Sequence, residues 1–297
     1  MRILRSTRRL SDWSQALHRE GVVIGLVPTM GALHDGHRAL IRAARASCDA
    51  VAVSVFVNPR QFGPGEDFTR YLRPFRSDAA LCRQEGVDVL FAPPPEAMYP
   101  PLFQTSISVH HLSQRWEGEH RADHFAGVAT VVTKLLSLTR LHKTFFGQKD
   151  YQQAIVVRQL IEDINLGVEL VIHPTVREQD GLAMSSRNAY LTPAQRRTAP
   201  ILYQALLAGK EGVDAGIRSG SRIRTIMLKR ASAQPTVTVD YLAVCHAKTL
   251  EPLSRVRGKA VLLGAIRIGR VRLIDNVMVK TREESGGRRR VADLSHR

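Results

Sequence analysis

Two histidines, His34 and His37, stand three positions apart in the run Pro28-Thr29-Met30-Gly31-Ala32-Leu33-His34-Asp35-Gly36-His37. The run begins where an apolar strand-like segment ends and leads into a segment of helical period. Its glycines let a ligand approach the backbone closely, and a helix N-terminus offers free N–H groups and a positive dipole end to phosphate. With the helix starting near His34, the two imidazoles share a face. There they can donate to phosphate oxygens as negative charge builds during attack at an α-phosphorus. For an isolated pair, a turn cap or inert packing is the plainer reading; the glycine-flanked strand-to-helix position favours chemistry. No Gly-Lys-Ser/Thr closes the run, so it is not a Walker loop.

Three further clusters follow strand-like segments. Asn58-Pro59-Arg60-Gln61-Phe62-Gly63 offers amides, which read hydroxyls and carboxylates because they both donate and accept. In a Gly/Pro loop such residues are also ordinary turn formers. Phe145-Phe146-Gly147-Gln148-Lys149-Asp150-Tyr151-Gln152-Gln153 supplies a lysine for phosphate and Gln153 one turn into a helix. Met184-Ser185-Ser186-Arg187-Asn188 sets two hydroxyls beside a guanidinium, a group that binds phosphate oxygens through charge-assisted bonds. A polar loop without function is the plain alternative.

These clusters need elements to hold them. Apolar runs at residues 22–27, 50–57, 87–91, 143–146 and 168–172 read as strands. Helical period marks residues 36–47, 77–85, 124–138 and a helix N-capped by Asp150 that reaches Asp163. Strands alternating with helices imply parallel crossovers, hence an α/β, Rossmann-like doubly wound parallel sheet. Ligands of such sheets sit beyond the carboxyl ends of the strands, where the four clusters fall. After about residue 180 two helical stretches, 193–207 and 216–231, precede strand-like segments at 236–244, 259–268 and 271–279. This order predicts a smaller C-terminal α+β domain. The expected division is 1–178, 179–280 and a disordered polar tail at 281–297.

The chain has 297 residues, enough for a large core, with 44% hydrophobic and 24% charged residues, ordinary values for a globular protein. No apolar run approaches membrane-spanning length, and the basic start MRILRSTRRLSDW lacks the apolar stretch of a secretory signal, so a cytoplasmic location is expected. Cys48, Cys82 and Cys245 are far apart and fit reduced thiols better than a disulfide framework or metal site. Net charge is +16, and it is uneven: residues 1–180 hold 21 Lys and Arg against 19 Asp and Glu, residues 181–297 hold 22 against 8. A nucleic-acid module would show such a bias, but Arg218, Arg222, Arg224, Lys229 and Arg230 lack interleaved aromatics. A solvated basic face, or attraction of a polyanionic substrate such as ATP, explains it as well.

At the four clusters, and at HFAGVATVVTKLL, the sequence resembles the pantothenate synthetases of the HIGH-type nucleotidyltransferase superfamily. PTMGALHDGH, SVFVNPRQFGPGEDFTRY, FFGQKDYQQ and PTVREQDGLAMSSRNAYL are similar to that family's signatures, in order. The likeness is close over residues 20–195 and looser beyond, through VDYLAV and RLIDNV. It implies ATP-dependent ligation of (R)-pantoate and β-alanine through a pantoyl adenylate, releasing AMP and pyrophosphate, with magnesium accompanying ATP and a homodimeric assembly. By the same resemblance Met30, Gly31, Ala32, Leu33, His34, Asp35, Gly36 and His37 lie in the ATP site, with His37 stabilising charge or donating a proton beside His34. Gly147, Gln148, Lys149 and Asp150 form an ATP strip with Lys149 on phosphate; Val176 meets adenine through its backbone. Met184, Ser185, Ser186 and Arg187 correspond to a KMSKS-like loop. Gln61 and Gln153 hold pantoate, Gln61 also nears β-alanine, and Asp78 is a magnesium-associated carboxylate.

Three places depart from the family pattern. Tyr71-Leu72-Arg73-Pro74 replaces the usual Tyr-Pro-Arg-Thr, Gln148 replaces a usual Glu, and Trp116-Glu117-Gly118-Glu119-His120-Arg121 is unusually charged. Two rival readings stand beside the ligase. A nucleotidyltransferase with a phosphate acceptor predicts an added cationic site near His37. A basic nucleic-acid binder predicts salt-dependent association.

Overall fold

The computed structural model describes residues 1–281. In chain order its main elements are β1 (Arg2–Leu4), α1 (Thr7–Arg19), β2 (Ile24–Thr29), α2 (Asp35–Arg45), β3 (Ala50–Val55), α3 (Phe75–Gln84), β4 (Val89–Phe91), two single turns α4 (Pro95–Met98) and α5 (Glu117–His120), α6 (His124–Thr139), β5 (Lys143–Gly147), α7 (Tyr151–Asp163) and β6 (Glu169–His173). There follow α8 (Pro193–Thr198), α9 (Ile201–Asp214), α10 (Gly220–Ala231), β7 (Val237–His246), β8 (Lys259–Ile268) and β9 (Val271–Lys280).

Strands β1 to β6 form one parallel sheet in the order β1-β4-β3-β2-β5-β6. The chain winds outward from β2 through β3 and β4, then returns to β5 on β2's other side. The order reverses between β2 and β5, the position where doubly wound sheets bind ligands. Helices cover both faces, so β3 reads AVAVSV with almost no polar alternation. Ala52 packs with Leu10, Leu26, Val128 and Leu136 on the α1/α6 side. Its neighbours Val51 and Val53 pack with Ile41, Cys82 and Leu90 on the α2/α3 side. Leu26 is fully buried at the centre; Leu26→Ala there should cost about 2–5 kcal/mol.

The second sheet is antiparallel, β7-β8-β9. Its period-two pattern splits cleanly between two surroundings. Leu242, Val244, Leu262 and Ile266 meet α9 and α10. Ala243, Cys245, Val261 and Leu263 meet Tyr151 and Ile155 of α7. This sheet is therefore packed against the first one's helical layer through a shared apolar core.

The expected fold class holds, with local differences. β1 and α1 were not anticipated, although Leu10, Trp13 and Leu17 recur at helical spacing and α1 packs on α6. The single helix expected at 193–207 is two, because Pro200 has no N–H to continue the ladder; α9 then runs on to Asp214. α10 begins at Gly220, since Gly216 turns the chain at φ +94° and Ser219 caps Arg222. Asp150 precedes α7, but its side chain makes no capping bond and pairs with Lys149. All three cysteines are buried and unpaired. The expected tail lies outside the described residues except for Thr281.

Candidate active site

The β2–α2 loop crosses the switch point. Gly31 and Ala32 take positive φ of 86° and 50°, a tight turn that the Thr29 hydroxyl supports by accepting the Gly31 N–H at 3.1 Å. Asp78 of α3, only 2% exposed, accepts the N–H groups of Ala32 and Leu33 at 3.0 and 2.8 Å. Its carboxylate thus buttresses the loop from beneath. It does not line the cavity that the loop borders. Each of its oxygens accepts one backbone N–H, so the carboxylate supports the loop.

His34 is the N-cap of α2 and accepts the Gly36 N–H on Nδ1 at 3.1 Å. His37 Nδ1 in turn accepts the His34 N–H at 3.3 Å, completing a capping box in which His37 replaces the usual acidic residue. The rings lie 4.1 Å apart. A ring nitrogen that accepts a backbone N–H carries no proton, so each neutral ring is protonated on Nε2. Burial, then the Lys149 charge, lowers His34 to about 4. Burial, then His34 itself, lowers His37 to about 3. Near pH 7 the pair is neutral and offers two Nε2–H donors, neither with a partner among the described residues. Capping uses Nδ1 of each ring and leaves Nε2 free to serve a ligand, so the two readings do not exclude each other.

Gln61 sits on a short turn after β3 and is buried. Asn58 fixes it: the Asn58 amide donates to Gln61 Oε1 and to Gly127 O, both at 3.0 Å, while Tyr99 Oη donates to Asn58 Oδ1 at 2.9 Å. Occupied as Gln61 Oε1 is, the Nε2 donor is left for a ligand. The Gln61 carbonyl accepts from Arg121 at 3.1 Å and lies 2.8 Å from His124 Nδ1. Gly127 of α6 approaches this turn so closely that a Cβ would lie 2.1 Å from the Arg60 carbonyl oxygen. Gln153 and His124 border the same cavity.

On the far side, Lys149 follows β5 and lies 3.3 Å from Asp150. Burial alone would raise the Asp150 carboxyl; the Lys149 charge and hydrogen bond outweigh it, and the net direction is down. Asn276 of β9 donates to the carbonyls of Gln148 and Lys149 at 2.7 and 3.0 Å and accepts from Gln148 Nε2 at 3.0 Å. Val176 and Met184 are joined by the Met184 N–H to Val176 carbonyl bond of 3.0 Å, and the Val176 N–H has no partner among the described residues. Ser185 caps the turn that begins at Ser186, and the Ser186 hydroxyl meets Tyr71 Oη at 3.1 Å. Arg187 makes a two-pronged ion pair with Asp67, at 3.0 and 2.9 Å. The adjacent Glu66 is held in the same manner by Arg121, at 2.9 and 2.7 Å. The 62–71 flap is therefore latched to both sides of the cleft, and Tyr71 seals its end.

His34, His37, Gln61, Lys149, Gln153 and Arg187 all border one cavity of about 200 Å³ at the switch point. It adjoins a larger cleft of about 830 Å³ between the two sheets. Lys149, Asp150, Arg121 and Arg187 line both. The structure thus brings together four clusters spread over 150 residues of sequence. It adds residues that sequence reasoning left without a role: Arg121, His124, Tyr71, Asp67 and Asn276. Among the described residues no group of three or more His, Cys, Asp or Glu is arranged to hold a metal ion.

The family model described as pantoate-beta-alanine ligase matches residues 2–278. A pantothenate synthetase of Moorella thermoacetica is 45% identical over 283 residues, covering 95% of this chain and all of the relative. One of Chloroflexus aggregans is 52% identical over 254 residues, 85% of this chain and 92% of the relative. The crystal structure of pantothenate synthetase from Thermus thermophilus superposes with a TM-score of 0.90 at 47% identity, covering 95% of this chain and 100% of that one. The Francisella tularensis ligase, described as complexed with β-γ ATP and β-alanine, gives 0.77 at 31% identity, with 94% and 97% covered. By fold, by the switch-point cavity and by these matches along nearly its whole length, the chain belongs to the pantoate–β-alanine ligase family.

Proposed function

We propose that this chain joins (R)-pantoate to β-alanine in two steps within the switch-point cavity. A pantoate carboxylate oxygen attacks the α-phosphorus of ATP; the α-phosphorus-to-bridging-oxygen bond breaks, and pyrophosphate leaves. The β-alanine amine then attacks the acyl carbon, loses a proton, and expels AMP as the amide forms. A bare carboxylate is a poor acyl donor because oxide leaves poorly, and the mixed anhydride removes that obstacle.

The observation that carries this reading is the pairing of two neutral Nε2–H donors, on His34 and His37, with amides at Gln61 and Gln153 in one cavity. Neutral imidazoles held on a rigid helix cap donate to the charge that develops on the α-phosphoryl oxygens without proton transfer in the ground state. Gln61 Nε2 and Gln153 suit the hydroxyl and carboxylate groups of pantoate, with Gln61 also facing β-alanine. Lys149 and Arg187 suit the β- and γ-phosphates, the Val176 N–H an adenine nitrogen, and the 30–37 and 147–150 segments the rest of the nucleotide. Magnesium enters with ATP as part of the substrate, with Asp78 the carboxylate associated with it, and no step is assigned to the ion. The 1–178 and 179–280 parts act as two units around this cleft, in a cytoplasmic homodimer. A phosphate-acceptor reading is less well supported, because Gln61 and Gln153 border the cavity beside His37.

The test is exchange of labelled pyrophosphate into ATP. Exchange is expected with pantoate and magnesium present and β-alanine absent. Exchange that ignores pantoate and follows another carboxylic acid would keep the chemistry and overturn the substrate.

A further inference from the structure

The cleft carries a device that the reading above does not use. Strand β9 belongs to the antiparallel sheet, yet two successive residues leave it to grip both halves of the proposed nucleotide platform. Asp275, 5% exposed, receives Arg177 at 2.6 and 2.9 Å, and Arg177 also donates to the Gly181 carbonyl at 3.0 Å and stacks 3.6 Å from the Tyr203 ring centre. Arg177 follows Val176, so this pair fixes the hairpin that carries Val176 and Met184. Asn276, 1% exposed, uses its whole amide on the opposite half. Oδ1 accepts from Gln148 Nε2, and Nδ2 donates to the carbonyls of Gln148 and Lys149. The amide's orientation is forced: turning it over would set Oδ1 against two carbonyl oxygens.

Beyond Gly147, residues 148–150 have no ladder to hold them. β5 ends at Gly147, and a short turn of three residues, Gln148–Asp150, leads into α7 without a side-chain cap. Lys149 stands in that turn, on two carbonyls that Asn276 pins.

We infer that Asn276 is a positioning residue for the adenylation half-reaction, acting through the Gln148–Lys149 backbone to hold the Lys149 ammonium in the cleft. The antiparallel sheet is on this account part of the ATP site's framework and not only a cover for it. The inference rests on the reading of Lys149 as a phosphate-facing group.

Misplacement of a reacting partner by about 1 Å can cost on the order of 10²-fold. Asn276→Ala should therefore lower pyrophosphate exchange by about 10- to 100-fold, chiefly through a higher KM for ATP, while aminolysis of preformed pantoyl adenylate proceeds as in the wild type. A residue that merely stabilised the fold would move neither KM nor the balance between half-reactions. In a Lys149→Ala background the Asn276→Ala change should add nothing to the exchange defect, because the group it positions is gone. Should Asn276→Ala not fold, Asn276→Ser, which keeps one donor, carries the same comparison with a smaller expected loss. Unchanged exchange, equal damage to both half-reactions, or full additivity with Lys149→Ala would overturn the inference. Wild-type protein that fails to exchange with pantoate would instead overturn the reading on which it rests, so the two failures are told apart.

Discussion

His37 and His34 each use one ring nitrogen to build the helix cap and present the other, and the proposed chemistry rests on that second nitrogen. His37→Ala should slow pantoyl adenylate formation by about 10²–10⁴-fold in protein that remains folded; near-normal formation measured by quenched-flow would remove His37 from the chemistry. Because both rings sit far below 6.5, adenylation should show no step from their protonation between pH 6 and 9, and a rate following a group near 6.5 would contradict the neutral-donor role. The same shifts bear on stability. His34, His37 and His124 lie at about 4, 3 and 4 when folded, against 6.5 unfolded, so below pH 6.5 the unfolded chain binds more protons. Their contribution is complete above 6.5 and is lost as pH falls toward 4. Urea midpoints should decline through that window, and His124→Gln should make the decline shallower. At the opposite wall, Gln61→Ala and Gln153→Ala should weaken pantoate binding more than ATP binding, by roughly 1–3 kcal/mol for each unmade buried hydrogen bond. Titration showing the reverse order would assign those amides to the wrong substrate.

At the scale of elements, the Met184–Arg187 loop and the 147–150 strip face each other across the cleft. Lys149→Ala and Arg187→Ala should slow adenylation and spare aminolysis of preformed pantoyl adenylate; equal damage to both would make them supports of the fold. Much of this arrangement was legible in sequence. The apolar runs of β3 and β8 and the period of α6 each announced their element, and the Gly-flanked run before α2 announced a strand-to-helix turn. What stayed hidden has a common cause. The bonds by which Asp78 supports the β2–α2 loop were not foreseen because their donors, the N–H groups of Ala32 and Leu33, lie 46 and 45 residues away in sequence. The charged 116–121 segment had no reading because its partners, Glu66, Arg272 and Tyr241, come from three distant elements. Local period reports local structure, and long-range polar pairing leaves no period.

At the scale of the molecule, the uneven charge acquires a structural explanation. Several basic residues of the C-terminal part pair with acids from the first 180 residues: Arg187 with Asp67, Arg196 with Glu178 and Asp180, Arg272 with Glu117. Part of the basic excess stitches the two sheets together. Arg272 and Glu117 are 15% and 8% exposed, so Arg272→Ala strands a buried carboxylate. It should cost about 3–5 kcal/mol in chemical denaturation; a loss near zero would show that the apolar contact with α7 alone joins the sheets. The account as a whole rests on the pantoate carboxylate becoming an acyl adenylate, and labelling that carboxylate with heavy oxygen tests this most directly. One of its two oxygens should appear in the phosphate of AMP and the other in the amide carbonyl of the product, with none in pyrophosphate. Label recovered in inorganic phosphate, alongside ADP, would contradict the adenylate and point to an acyl phosphate.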